Sequence, residues 1–267
     1  MATTSNARLV AGALLALACV SAAATEPPVL LEALTWTELR DRVASGTTIA
    51  LVPIGGTEQN GPHMTLGKHN VRARVLAERI ARRLGNAVVA PVVAYVPEGS
   101  IDPPTEHMRY PGTISVPPAA FEAMLESTAR SLQRAGLTHV VLLGDHGGYR
   151  RSLERVAARV PKVHALAAYY DASSVALDRA LRAHGFAAAD IGQHAGLADT
   201  SLMLAIDPAQ VRIDVARGRP PGAADGVSGD PRRADARWAQ ESADGIVERS
   251  AAAIRERVGK PQFGPRP

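Results

Sequence analysis

Three short stretches of this sequence concentrate side chains that bind cations and move protons. The first, Gly55-Gly56-Thr57-Glu58-Gln59-Asn60-Gly61-Pro62-His63-Met64-Thr65-Leu66-Gly67-Lys68-His69-Asn70, packs one carboxylate and two imidazoles into a turn-rich segment. Irregular backbone of this kind lets side chains converge from several directions. The second is Gly144-Asp145-His146-Gly147-Gly148, and the third is His194-Ala195-Gly196-Leu197-Ala198-Asp199-Thr200-Ser201. Imidazole and carboxylate donors together suit zinc, manganese or iron(II). The spacing alone is weakly specific, because no helical H-E-x-x-H pattern occurs. On residue types alone, a metal site and a set of polar residues capping loops both stay open. A Gly-x-Ser-x-Gly elbow is absent, which argues against a serine hydrolase.

Two further stretches join them: Glu106-His107-Met108-Arg109-Tyr110-Pro111-Gly112-Thr113-Ile114-Ser115 and Gly226-Val227-Ser228-Gly229-Asp230-Pro231. All five, in their order along the chain, resemble the motifs of the creatininase family, over roughly residues 35 to 250. That resemblance implies a metal-dependent amidohydrolase acting on a carbon–nitrogen bond of a small, sometimes cyclic, amide such as creatinine. It implies a first cation held by Glu58, His69 and His146. It places a second on Asn60, His69 and either Gly148 or Asp199, with His63 a further candidate ligand or a hydrogen-bonding loop residue. The sequence departs from the family here. His69 stands at a bridging Asp, and a neutral imidazole has one free lone pair where a carboxylate has two oxygens. Asn60 replaces a histidine ligand. Both departures favour one ion per chain over two, zinc or manganese, with iron as a third candidate.

Such an ion would acidify water and polarise a carbonyl, so an acid and a base are needed. His194 and Asp199 are the candidates, Asp199 serving alternatively to orient a histidine. His107 and the amides of Gly147 and Gly148 are expected at the substrate, since glycine permits close approach. His139, His164 and His184 read as structural, while Lys68 and Asp145 flank the expected ligands. The resemblance also implies a homo-oligomer, a hexamer or smaller. Two other readings reuse the same residues: a noncatalytic periplasmic small-molecule-binding protein, and a metal-dependent lactonase or esterase.

These residues need a scaffold, and hydrophobic periodicity supplies one. Strands are expected at Thr48–Ile54, Ala87–Val93, His139–Leu143 and Val163–Ala168. Helices are expected at Asn70–Leu84, from Pro117-Pro118 to Ala135, at Tyr149–Val160, Ala172–His184 and Thr200–Ala205, and at Asp244–Val258. Alternating β and α elements imply an α/β fold of three layers, α/β/α, around a mainly parallel sheet, as in creatininases. Ligands then bind beyond the carboxyl ends of the strands.

The chain has 267 residues, 46% hydrophobic and 21% charged, which suits a folded domain rather than disorder. Its net charge of +4 is mild. Arg72, Arg74, Arg79, Arg82 and Arg83 alternate with Glu78 and read as a solvated helix face, so no nucleic-acid surface is expected. Arg8, the apolar run Leu9–Val20 and the small residues Ser21–Ala24 read as a secretory signal over 1–24, too short to span a membrane. The single cysteine, Cys19, lies within it and is poorly placed for lipidation. One catalytic domain over 25–258, a loose tail over 259–267, and a periplasmic or secreted destination complete the reading.

Overall fold

The computed structural model describes residues 27–259. The expected secretory segment with Cys19, and tail residues 260–267, lie outside them. Strand β1 (Ile49–Ile54) is apolar on both faces, and all six of its residues are buried. A strand of that kind belongs in the middle of a sheet covered on both sides. Here β1 pairs in parallel with β2 (Ala87–Val89) on one side and β3 (His139–Gly144) on the other, and β4 (Val163–Ala165) extends the sheet beyond β3. The register runs from Ile49 opposite His139 to Ile54 opposite Gly144.

Alternation along the strands divides the core in two. Ile49, Leu51, Val141 and Leu143 pack against α2 (Lys68–Leu84), α5 (Ala167–Ser173) and α10 (Gln240–Gly259). Ala50, Val52, Ile54, Val140 and Leu142 face α3 (Pro118–Arg134) and α4 (Arg150–Arg159). The result is the three-layer α/β/α arrangement that the sequence predicts. Pro118 at the first position of α3 and Gly136, with φ +97°, just past its end follow the usual asymmetry of helix termini.

Two strands are shorter than expected. β2 ends at Val89 because Pro91 follows closely and has no N–H for the ladder. The chain rejoins the sheet at Val93, which pairs with the end of β1. β4 gives way to α5, whose Ala167 and Ala168 are strong helix formers. The remaining helices are α1 (Trp36–Ala44), α6 (Val175–Ala183), α7 (Ala188–Ile191), α8 (Leu197–Ile206) and α9 (Ile213–Gly218).

The connection from β1 runs through α2 to β2 on one side, while that from β3 runs through α4 to β4 on the other. The carboxyl ends of β1 and β3 therefore lie side by side at the point where strand order reverses. The segment ahead of α8 is pinned there by the residues around 228. Ser228 accepts from the amides of Gln193 and His194 and donates to the His194 carbonyl. Gly192 permits this: a Cβ on it would lie 1.8 Å from the Ser228 carbonyl oxygen. Gly185 shares its positive φ but faces open space. Gly192→Ala should therefore cost at least about 2 kcal/mol more than Gly185→Ala in urea unfolding; equal losses would show that this docking is not needed.

Candidate metal centre

Two glycines at the end of β1 decide what reaches Glu58. A Cβ on Gly55 would come within 2.8 Å of the Asn70 backbone, so α2 can begin hard against the strand. A Cβ on Gly56 would come within 2.6 Å of Glu98 Oε1. Tyr149 fastens the neighbouring loop: its hydroxyl lies 2.8 Å from the carbonyls of Ile54 and Gly55 and accepts from the amides of Asp145 and His146. Glu58, Lys68, His69, Asp145 and His146 are thus brought to one place.

They form a closed ring of acids and bases. Glu58 Oε1 lies 2.8 Å from His69 Nε2, and His69 Nδ1 lies 2.6 Å from Asp145 Oδ2. Arg72 Nε donates to the same Asp145 oxygen (2.7 Å), and its Nη1 donates to Asp199 Oδ1 (2.9 Å). Asp199 Oδ2 accepts from Lys68 Nζ (3.0 Å), which returns to Glu58 Oε1 at 3.6 Å. Tyr169 donates to the other Asp145 oxygen. The ring corrects the expectation for Arg72, which is buried rather than on a solvated face.

The other oxygen of Glu58 faces elsewhere. Oε2 lies 3.4 Å from His107 Nε2 and 3.8 Å from His146 Nε2, while Glu98 Oε2 lies 3.8 Å from His146 Nδ1. One donor atom from each of Glu58, Glu98, His107 and His146 falls within 4.8 Å of the others. Among the described residues neither oxygen of Glu58 or Glu98 has a hydrogen-bond partner, although both side chains are fully buried. His69 Nε2 is also unpartnered. It lies 2.8 Å from Oε1 without a hydrogen bond, so two donor atoms lie side by side. Unpaired buried polar atoms are costly, and a cation among Glu58, Glu98, His107 and His146 relieves that cost for the two carboxylates. The donor set therefore fits a divalent metal.

Electrostatics agree. Burial pushes Glu98 up and the Glu58 charge pushes it further, whereas burial of Glu58 is outweighed by His69 and Lys68, which hold its carboxyl low. Burial, with Lys68 adding to it, depresses His146 to about 3 and His194 to about 4. Both imidazoles are neutral at ordinary pH. Asp199 is also held low, because Lys68 and Arg72 outweigh its burial.

The structure brings Glu58, His69 and His146 together, as the sequence suggests, and adds His107 to the ligand cluster rather than only to the substrate wall. Glu98 is the residue that sequence reasoning missed; its only local sign is a carboxylate between Pro97 and Gly99. Asn60 Nδ2 donates to the carbonyls of Glu58 and Thr65, which leaves Oδ1, the atom that could meet a cation, buried and unpartnered. His63 Nε2 meets the Thr200 hydroxyl at 3.1 Å, so it braces α8. Asp199 is spent on Lys68, Arg72 and the Ala195 amide, which makes it an orienting group rather than a proton donor. The Gly148 amide, expected to face substrate, donates instead to His146 Nδ1 (3.2 Å). His194 Nε2 lies 2.9 Å from the Gln59 carbonyl. A carbonyl can only accept, so Nδ1 is the bare nitrogen, 3.7 Å from Glu58 Oε1. His139 and His164 stack on each other, as structural residues do. A cavity of about 630 Å³ opens beside the centre, reached by His146, His194 and Gly147 and extending to Val175, Asp178 and Arg182.

A family model described as creatinine amidohydrolase matches residues 32–254. The mycofactocin precursor peptide peptidase of Mycolicibacterium smegmatis is 35% identical over 173 residues, which are 62% of this chain and 61% of that protein. The chain thus matches about three-fifths of that peptidase. The creatinine amidohydrolase of Pseudomonas putida is 30% identical over 199 residues, 70% of this chain and 75% of that protein. Among solved structures, a creatinine amidohydrolase crystal structure aligns with a TM-score of 0.70 at 26% identity, covering 88% of this chain and 99% of the other. A manganese creatininase aligns at 0.69 and 27%, covering 88% and 100%. The family match runs unbroken from before β1 into α10 and takes in every residue of the ring and of the ligand cluster; this chain belongs to the creatininase family.

Proposed function

We propose that this protein hydrolyses a carbon–nitrogen bond of an amide, using one divalent ion gathered on Glu58 by His107, His146 and Glu98, with His69 at its side. The observation that carries this is the pair of fully buried carboxylates whose four oxygens lack any hydrogen-bond partner among the described residues, beside the imidazoles of His107 and His146. Zinc and manganese suit these donors, and related structures include a manganese creatininase and a Zn–Zn form of a mutant creatininase. Such an ion, when bound, supplies a Lewis acid for the scissile carbonyl and makes water a nucleophile near neutral pH.

The rest is done by the chain. Asp145 fixes the His69 ring through Nδ1, the arrangement that orients metal-binding histidines. Gln59 Nε2 donates to His107 Nδ1 (3.1 Å) while the Gln59 carbonyl accepts from His194 Nε2 (2.9 Å), so one residue holds both rings toward the centre. His194 lines the cavity with Nδ1 bare, so it takes the proton of the attacking water and returns it to the leaving nitrogen. Asp199 accepts from the Ala195 amide (3.0 Å) and keeps His194 in place.

The cavity favours an amide with substituents extending beyond a single small ring, such as a short peptide. The similarity to a peptidase supports this, whereas the Pseudomonas relative supports creatinine itself. We also propose export through residues 1–24, on the strength of the basic start, apolar run and Ala-rich end. N-terminal sequencing of periplasmic protein should begin at Thr25; intact Met1 on cytoplasmic protein would refute export.

Chelation should abolish turnover of a peptide or creatinine panel, and zinc or manganese should restore it. Glu58→Gln should lower kcat/KM at least about a hundredfold, and Glu98→Gln should weaken metal binding about tenfold or more. Ligand binding that survives in Glu58→Gln, with no turnover in the parent protein, would instead identify a binding protein.

A further inference from the structure

Glu58 has two faces. Oε2 looks toward His107, His146 and Glu98, while Oε1 looks toward His69 Nε2 (2.8 Å), Lys68 Nζ (3.6 Å) and His194 Nδ1 (3.7 Å). The Oε1 side has donors enough for a cation of its own. His69 Nε2 has no hydrogen-bond partner, His194 Nδ1 is left bare by the bond from Nε2 to Gln59, and Asp199 Oδ2 lies beyond. What stands among them is Lys68, the first residue of α2, whose side chain has no exposure at all.

Burying an ammonium costs several kcal/mol unless anions surround it. Anchoring α2 to α8 is a poor reason for that cost, because Arg72 already makes the connection through Asp199 and Asp145. Neutral polar side chains could brace the same loop, as Asn60 does nearby. An ammonium 3.0 Å from one carboxylate and 3.6 Å from the other instead does what a metal ion does there: it neutralises Oε1 and keeps Glu58 turned with Oε2 toward the ligand cluster.

We propose that Lys68 is a built-in cation occupying the Oε1 side of the centre, so that the protein holds a single divalent ion on the Oε2 side. The proposal rests on the metal-dependent reading above. It makes Lys68 a positioning residue, acting through Glu58 at the wall of the cavity. It also explains why the bare nitrogens of His69 and His194 need no second metal: a fixed positive charge close by repels one.

The test is elemental analysis and competition titration with zinc and manganese, on the parent protein and on Lys68→Met. The parent should hold one equivalent. Lys68→Met should hold two, or hold one at least about tenfold more tightly, because a repelling charge has gone. Lys68→Arg, which keeps the charge, should still hold one. A Lys68→Met protein with one equivalent at the parent's affinity or weaker would overturn the proposal, as would two equivalents in the parent. No metal in the parent would refute the metal-dependent reading itself, a distinct outcome. Lys68→Gln, which keeps a donor for Asp199, takes over the same measurements and the same criteria if Lys68→Met does not fold.

Discussion

The centre depends on burying Glu58 as an anion. A carboxylate withdrawn wholly from water costs several kcal/mol even after relaxation, and no backbone amide meets either of its oxygens. The compensation comes from α2. Lys68, His69 and Arg72 all rise from its opening turns, and they alternate with Glu58, Asp145 and Asp199 from three other parts of the chain. Removing one member of such a ring strands the charges on either side of it. The ring therefore ties the β1 loop, the β3 loop, α2 and α8 into one cooperative unit, and the geometry of the metal centre and the packing of the fold are secured by the same contacts.

That coupling explains the chemistry of the glycines around it. β1 and β3 run side by side, so their loops emerge together, but α2 must start almost in contact with β1 for its basic side chains to reach. Gly55 provides the space, and Gly56 does the same for Glu98 on the opposite flank. Tyr149 then closes the gap between the two strand ends with one hydroxyl. Gly192 and Gly229 perform the corresponding service for His194, whose segment lies backbone to backbone with the residues around 228. The fifth motif thus matters as a support for the third rather than as a source of ligands.

Much of this was legible in the sequence, for identifiable reasons. Strand and helix positions followed from apolar periodicity, and their alternation implied a parallel sheet with loops converging at one end. Glu58, His69 and His146 stood out because metal-binding residue types were crowded between glycines. Arg72 did not, since helical periodicity placed it among other arginines, and only tertiary contact distinguishes a buried guanidinium from a solvated one. Glu98 was hidden for a related reason. It comes from a long irregular connection after β2, where no period relates a residue to the site, and what draws it in is the absence of a Cβ on Gly56, forty-odd positions earlier.

The two buried glutamates differ in a way that orders the assembly of the centre. Glu58 has a counter-charge built in through Lys68, and its carboxyl is held low despite its burial. Among the described residues no lysine or arginine pairs with Glu98; His146 Nδ1 lies 3.8 Å from it, and burial beside Glu58 favours its neutral form. Two carboxylates so placed become stable together as anions only when a cation joins them. Folding therefore prepares one half of the ligand cluster, and an ion bound there would complete the other by displacing a proton from Glu98, which would couple metal uptake to the charge state of the site.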